Sequence, residues 1–141
     1  MATVSTAQAH WEGSLMEGAG QVELVTSGRA TFDVKWAKRA EAGAGTTNPE
    51  ELLAAAHATC YSMALSHALA GNNTPATSID TTVEVTFQPG TGITGSKITV
   101  VGNVPGLDAD AFLAFAEDAK ANCPVSKALA IDITLDASFA G

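Results

Sequence analysis

Asn48-Pro49-Glu50-Glu51-Leu52-Leu53-Ala54-Ala55-Ala56-His57-Ala58-Thr59-Cys60 decides how this chain is read. Asn48 is a good N-cap, because its side chain can accept from the free amides of a first helical turn. Pro49 then falls at the first helical position, where a missing N–H costs nothing. Glu51 stands at the third position and can reach back to the cap as in a capping box, which leaves Glu50 without that duty. Both acids suit the positive end of the helix dipole. The pattern predicts a long amphipathic helix over residues 49–70, stopped by Gly71-Asn72-Asn73 and Pro75.

Cys60 lies about three turns into that helix. Its neighbours Ala56, Tyr61, Met63 and Ala64 are small or apolar, surroundings that raise a thiol pKa and make it inert. The helix N-terminus is too distant to help, because the dipole effect fades within a turn. To act as a nucleophile Cys60 needs a cation from elsewhere: His57 at i−3, or an arginine from the loop before the helix. The only other cysteine is Cys123, in Asn122-Cys123-Pro124-Val125-Ser126. Two thiols so far apart in sequence are either two inert core residues or one redox pair, and these residues leave both readings open.

The flanking segments predict strands at 5–13, 20–26 and 30–36, the last two a hairpin with Ser27-Gly28 at its tip. A Gly/Ala/Thr-rich loop follows from Ala37 to Thr47. After the long helix, Ile79, Thr81, Val83, Val85 and Phe87 alternate with Asp80, Thr82, Glu84 and Thr86, which predicts a half-buried strand over 78–88. A second strand is predicted over 93–104, a helix capped by Asp108 over 109–121, a short helical segment from Pro124 and a last strand over 130–139. The order βββ-α-ββ-α-β indicates an α+β fold with mostly antiparallel sheets around a long central helix.

The chain has 141 residues, 46% of them hydrophobic and 16% charged, which predicts one domain over 1–141 with a real core and excludes a disordered chain. A net charge of −8 makes nucleic acid and anionic membrane surfaces poor partners. No signal peptide and no membrane-spanning run are read, so two cysteines point to a reducing, cytoplasmic setting. There is no CxxC, and His10, His57 and His67 are too scattered to suggest a metal site.

At this point the residues resemble a known family. The run from Asn48 to Leu65 is similar to the main signature of the OsmC/Ohr family of thiol-dependent peroxidases, and Asn122-Cys123-Pro124-Val125-Ser126 to its second. Gln8-Ala9-His10-Trp11-Glu12-Gly13 and Ser78-Ile79-Asp80-Thr81-Thr82 are similar to the OsmC branch, and His57 favours that branch. The resemblance covers essentially the whole chain. It implies a cysteine-based peroxidase that reduces organic hydroperoxides, and hydrogen peroxide, without cofactor or metal. Cys60 matches the peroxidatic cysteine, whose thiolate takes oxygen from the peroxide and becomes a sulfenic acid. Cys123 matches the resolving cysteine, which closes a disulfide that a dithiol or lipoyl-type reductant reopens. Arg39 matches the arginine that stabilises the thiolate, and Glu50 the family glutamate. The alternative is a redox-sensing or thiol-binding module on the same scaffold, with little turnover.

If that chemistry needs Glu50 and Cys60 at one substrate, a single helix cannot supply both. Ten helical steps separate them, about 15 Å along the axis. A twofold axis near Ala55 would set Glu50 of one chain beside Cys60 of another, and Ala54, Ala55 and Ala56 are small enough for two helices to pack there. The expectation is an intertwined homodimer with shared active sites.

Overall fold

The computed structural model describes residues 1–39 and 45–141, which fall into two compact units, Met1–Pro49 and Glu50–Gly141. In the first, β1 (Ala7–Glu12), β2 (Ala19–Leu24) and β3 (Thr31–Val34) form an antiparallel sheet in that order. The β2–β3 connection turns where Ser27-Gly28 was expected to turn it. Gly28 has φ +63° and donates to the Leu24 carbonyl at 2.9 Å, in a left-handed backbone that glycine adopts without steric cost. Opposed polar pairs hold the register: Gln8 donates to Glu23 at 2.9 Å and Gln21 to Asp33 at 3.1 Å. Every residue of β1 is exposed.

A short helix α1 (Trp36–Arg39) follows, where the sequence pattern predicted the end of a strand and the start of a loop. One helical turn brings residues i and i+3 together, and the Arg39 guanidinium lies 5.6 Å from the Trp36 ring centroid. The part of the predicted Gly/Ala/Thr-rich loop at 40–44 lies outside the described residues.

The second unit is built from α2 (Pro49–Gly71), β4 (Ser78–Gln88), β5 (Gly92–Asn103), α3 (Ala109–Asn122), α4 (Pro124–Ala128) and β6 (Asp132–Phe139). The sheet order is β4-β5-β6. β4 and β5 pair antiparallel, but β6 runs parallel to β5, a departure from the antiparallel expectation. The cause is the connection: α3 and α4 carry the chain back along the sheet before β6 begins, the kind of crossover that parallel neighbours require.

Register places the core in rows across this sheet. Val83, Ile98 and Leu135 stand side by side, as do Thr81, Val100 and Ala137, then Ile79, Gly102 and Phe139. Tyr61, Leu65 and Leu69 of α2 and Phe112, Ala116 and Ala119 of α3 belong to the same core. Gly102 leaves room for Phe112: a Cβ there would run into the ring, whose centroid lies 5.6 Å from that of Phe139. At the start of α3 the Asp108 carboxylate accepts from the Ala111 amide at 2.8 Å, the cap expected of it.

α2 departs from the amphipathic expectation. Its fully buried residues after the first turn, His57, Tyr61, Leu65 and Leu69, form a single narrow row at i, i+4 spacing. The outward side is not charged; it shows Ala55, Ala56, Thr59, Met63 and Ala70, and no acidic, lysine or arginine residue follows Glu51 in the helix. A helix neutral on every face is one that other surfaces normally cover. Its end is set by Asn73 rather than by Gly71, which is still helical. Asn73 takes φ +61°, its amide donates to Ala70 at 3.0 Å and that of Thr74 to Leu69 at 3.0 Å, a Schellman closure with asparagine in the left-handed position. Among the described residues no helix is long and apolar enough to cross a membrane.

The close fit at Gly102 is measurable. Gly102→Ala forces a methyl group against the buried Phe112 ring and is expected to lower the unfolding free energy by about 1–3 kcal/mol. Denaturant melts with an unchanged slope and a lower midpoint would show this; an unchanged midpoint would mean the ring is loosely held.

Candidate active site

Cys60 and Cys123 meet. Three turns of α2 carry Cys60 to one side of the buried row, a single residue before Tyr61. Cys123 arrives from the corner between α3 and α4. Its amide closes α3 on the Ala119 carbonyl at 2.9 Å, and its φ −56°, ψ 131° ends the helix. Pro124 explains that corner, since a residue before proline is driven out of the helical region and proline itself starts the next helix well. The two thiols are free and lie near enough for each to act on the other's ionisation.

Their surroundings differ. Cys60 is half-buried and opens onto a groove of about 840 Å³ lined largely by small or apolar side chains, among them Ala56, Met63, Ala64, Ala68 and Pro124. Cys123 is fully buried behind it. Burial pushes the Cys60 thiol up, the Val125 backbone N–H pulls it down, and the neighbouring Cys123 adds to the rise. For Cys123 burial acts the same way but is outweighed. The Ser126 backbone N–H, the Cys60 thiol, the Ser126 hydroxyl and the Val125 backbone N–H all stabilise its anion, and its pKa falls below the ordinary thiol range.

His57 was weighed as the cation that Cys60 would need. Its ring points elsewhere: Nδ1 lies 2.7 Å from Ser96 Oγ and Nε2 2.7 Å from Ser126 Oγ, with all three side chains buried. Both nitrogens are therefore occupied, and burial lowers the pKa so that the neutral ring is favoured. Ser96 and Ser126 escaped the sequence reading as site residues. The signal for Ser96 was a hydroxyl at an inward position of β5, two residues before Ile98 and four before Val100. Ser126 stood in the second signature beside Cys123, but its burial was not visible.

Two further links fix α2. The Tyr61 hydroxyl donates to the Ala116 carbonyl at 3.0 Å, and Ser62 Oγ donates to Thr81 Oγ1 at 2.7 Å. Glu50 is buried, 5% exposed, in the first turn of α2. Arg39 lies in the first unit, at the end of α1 over Trp36. His67 lies on the rim of the groove and is exposed, and His10 pairs with Glu12 at 3.3 Å on the surface of β1.

Known proteins share this arrangement of elements. The OsmC-like protein family profile matches residues 42–137. Peroxiredoxin OsmC of Escherichia coli is 43% identical over 132 residues, 92% of each chain. Among solved structures, an organic hydroperoxide resistance protein OsmC from Legionella pneumophila superposes with a TM-score of 0.74 at 26% identity, covering 98% of both chains. The organic hydroperoxide resistance protein OhrB of Bacillus subtilis gives 0.64 at 27% identity, over 95% of this chain and 97% of its own. With the family profile spanning both cysteines and a relative this similar over nearly its full length, the chain belongs to the OsmC-like family.

Proposed function

We propose that this chain is a peroxidase that reduces organic hydroperoxides, and hydrogen peroxide, through Cys60 and Cys123. The observation that carries the reading is the pair of neighbouring free thiols, one open to an apolar groove and the other enclosed in the core that the first packs against. The enzyme class agrees with the relative named Peroxiredoxin OsmC, and an alkyl hydroperoxide suits a groove walled by alanine and methionine. Cys60, as thiolate, attacks the distal peroxide oxygen; the O–O bond breaks, an alcohol or water leaves, and Cys60 becomes a sulfenic acid. Cys123 then displaces the hydroxyl and closes the disulfide. A dithiol or lipoyl-type donor returns both sulfurs to thiols, taking the disulfide's place as the oxidised partner.

The first step needs a cation, because burial alone holds Cys60 protonated. We assign that role to Arg39, the arginine nearest in sequence to α2, and the orientation of substrate to Glu50. A homodimer built on α2 fits the neutral outward face of that helix and the exposed β1, which an isolated three-stranded sheet would leave uncovered. It also allows Glu50 and Cys60, about 15 Å apart along one helix, to serve one site from two chains. The domain is taken as the whole chain, 1–141, and the two reduced thiols suit the cytoplasm.

Mass spectrometry after one equivalent of an organic hydroperoxide tests the chemistry. The expected product has lost two hydrogens, mapped to a Cys60–Cys123 bridge. Cys60→Ser should abolish dithiol-dependent turnover, while Cys123→Ser should stop after one oxidation and proceed to sulfinic acid with excess peroxide. A Cys60→Ser chain that still turns over would end the proposal. Steady-state kinetics with a dithiol separate an enzyme from a sensor that forms the bridge once.

Subunit mixing tests the shared site. Cys60→Ser and Glu50→Ala chains are each expected to be inactive alone. Refolded together, their heterodimers hold one site with both native residues, so the mixture should recover about a quarter of the native activity. Sites confined to single chains would recover nothing.

A further inference from the structure

The wall of the groove holds another oxidisable sulfur, which the reaction above does not use. Met63 follows Cys60 by three residues on α2 and lines the same groove. Side chains three apart on a helix are neighbours, with Cβ atoms about 5–6 Å from one another. Met63 is 67% exposed, whereas Tyr61, Leu65 and Leu69 of the same helix are fully buried, so the core does not hold it in place. On its other side lies a hollow of about 550 Å³ between α2 and the start of β4, with the hydroxyl-bearing Ser66, Thr77 and Ser78 in its lining. Met63 thus stands on a ridge, with an apolar groove to one side and hydroxyl groups to the other. The twofold axis expected near Ala55 is eight residues away, about 12 Å along the helix, so Met63 stands clear of that crossing point.

A thioether reduces peroxides by two electrons, and methionine carries it on a flexible, unbranched side chain. A distal peroxide oxygen brought to the Cys60 sulfur therefore comes within the sweep of the Met63 sulfur one turn away. The thioether lone pair takes that oxygen. The S–O bond forms, the O–O bond breaks, and the hydroperoxide proton passes to the departing alkoxide, so one alcohol leaves and one methionine sulfoxide remains. The Met63 sulfur loses the two electrons that the peroxide gains. Cys60 competes for the oxidant while it is a thiol. Once it is bound to Cys123 in the proposed disulfide, the sulfur that the next hydroperoxide in the groove meets is that of Met63.

We propose that Met63 is a modification site of this groove: an alkyl hydroperoxide held there converts it to methionine sulfoxide, and the sulfoxide weakens the groove's hold on further alkyl hydroperoxides. Its place in a catalytic cycle rests on the peroxidase reading. The sulfoxide oxygen is a strong hydrogen-bond acceptor, and the alanines and Pro124 of the groove offer it no side-chain donor. If the oxidised side chain keeps its place, it sets a polar group against the alkyl chain of the substrate. If it turns toward Ser66, Thr77 and Ser78, it finds hydroxyl donors and withdraws an apolar wall from the groove. Both outcomes cost an alkyl hydroperoxide its apolar contact. Hydrogen peroxide has no alkyl chain and loses nothing. The modification therefore lowers activity toward one class of substrate and spares the other.

The chain carries its own control. Of its three methionines, Met16 lies in the turn between β1 and β2 and is also 67% exposed, so accessibility alone would oxidise Met16 and Met63 alike. In a Cys60→Ser chain, which lacks the competing sulfur, peptide mapping gives the ratio of Met63 sulfoxide to Met16 sulfoxide after cumene hydroperoxide and after hydrogen peroxide. The ratio should be about tenfold higher with cumene hydroperoxide, a modest gain from proximity. Equal ratios overturn the proposal. This arm needs no turnover, so it still decides the matter should the peroxidase reading itself fail. With Cys60 present, the protein is treated with cumene hydroperoxide until mapping shows Met63 oxidised. It is then reduced with a dithiol, which reopens a disulfide and leaves the sulfoxide, and compared with its untreated self. KM for cumene hydroperoxide should rise about tenfold, the scale of one poorly partnered polar group in an apolar site, while turnover of hydrogen peroxide keeps its KM. KM is the readout because loss of Cys60 to over-oxidation lowers kcat alone. Met63→Leu, treated in the same way and compared with its own untreated KM, should show no rise. An unchanged KM in the oxidised native chain, or an equal rise in Met63→Leu, overturns the proposal.

Discussion

The rotation of α2 about its own axis is the constraint on which the site depends. Four buried side chains, His57, Tyr61, Leu65 and Leu69, lie in one i, i+4 row, and two of them are fixed by polar contacts rather than by packing alone. Leucines tolerate some sliding within a core, whereas a tyrosine hydroxyl bound to one carbonyl and an imidazole shared by two serines do not. Each residue turns the helix by about 100°, so Cys60 is carried to the edge of this row, half-buried against Cys123 and half open to the groove. A helix held by its leucines alone could face the same sulfur fully inward or fully outward.

Local signals in the sequence were strong enough to define most elements. The alternation over 78–88 corresponds to β4 with the same bounds, and Asp108 caps α3 as its position before Ala109-Asp110-Ala111 suggested. Information that depends on remote partners was not available. Nothing in residues 130–139 states that their neighbour is a parallel strand, because alternation reports a buried face and not a pairing direction. The neutral outer side of α2 was misread as part of an amphipathic pattern because alanine counts as apolar yet tolerates exposure well. The meeting of the two sulfurs could be inferred only by resemblance, since chain separation carries no distance.

The site residues divide in the same way. Cys60 and Cys123 were legible as candidates because each sits in a distinctive local motif. His57 was visible as a residue but not in its duty, which is set by Ser96 and Ser126 from two other elements. A hydroxyl between apolar strand neighbours is a weak cue that a polar partner will arrive from the layer above, and Ser96 is such a case.

In the cycle proposed above, the unequal enclosure of the two sulfurs also bears on the return half. With the proposed Cys60–Cys123 disulfide in place, an incoming thiolate could approach along the groove but not through the core, so it would strike the sulfur of Cys60 and expel that of Cys123. The regiochemistry of reduction in that cycle would thus follow from which face of the helix meets solvent, and the electron donor would become bonded, for a moment, to the residue proposed to meet the oxidant first.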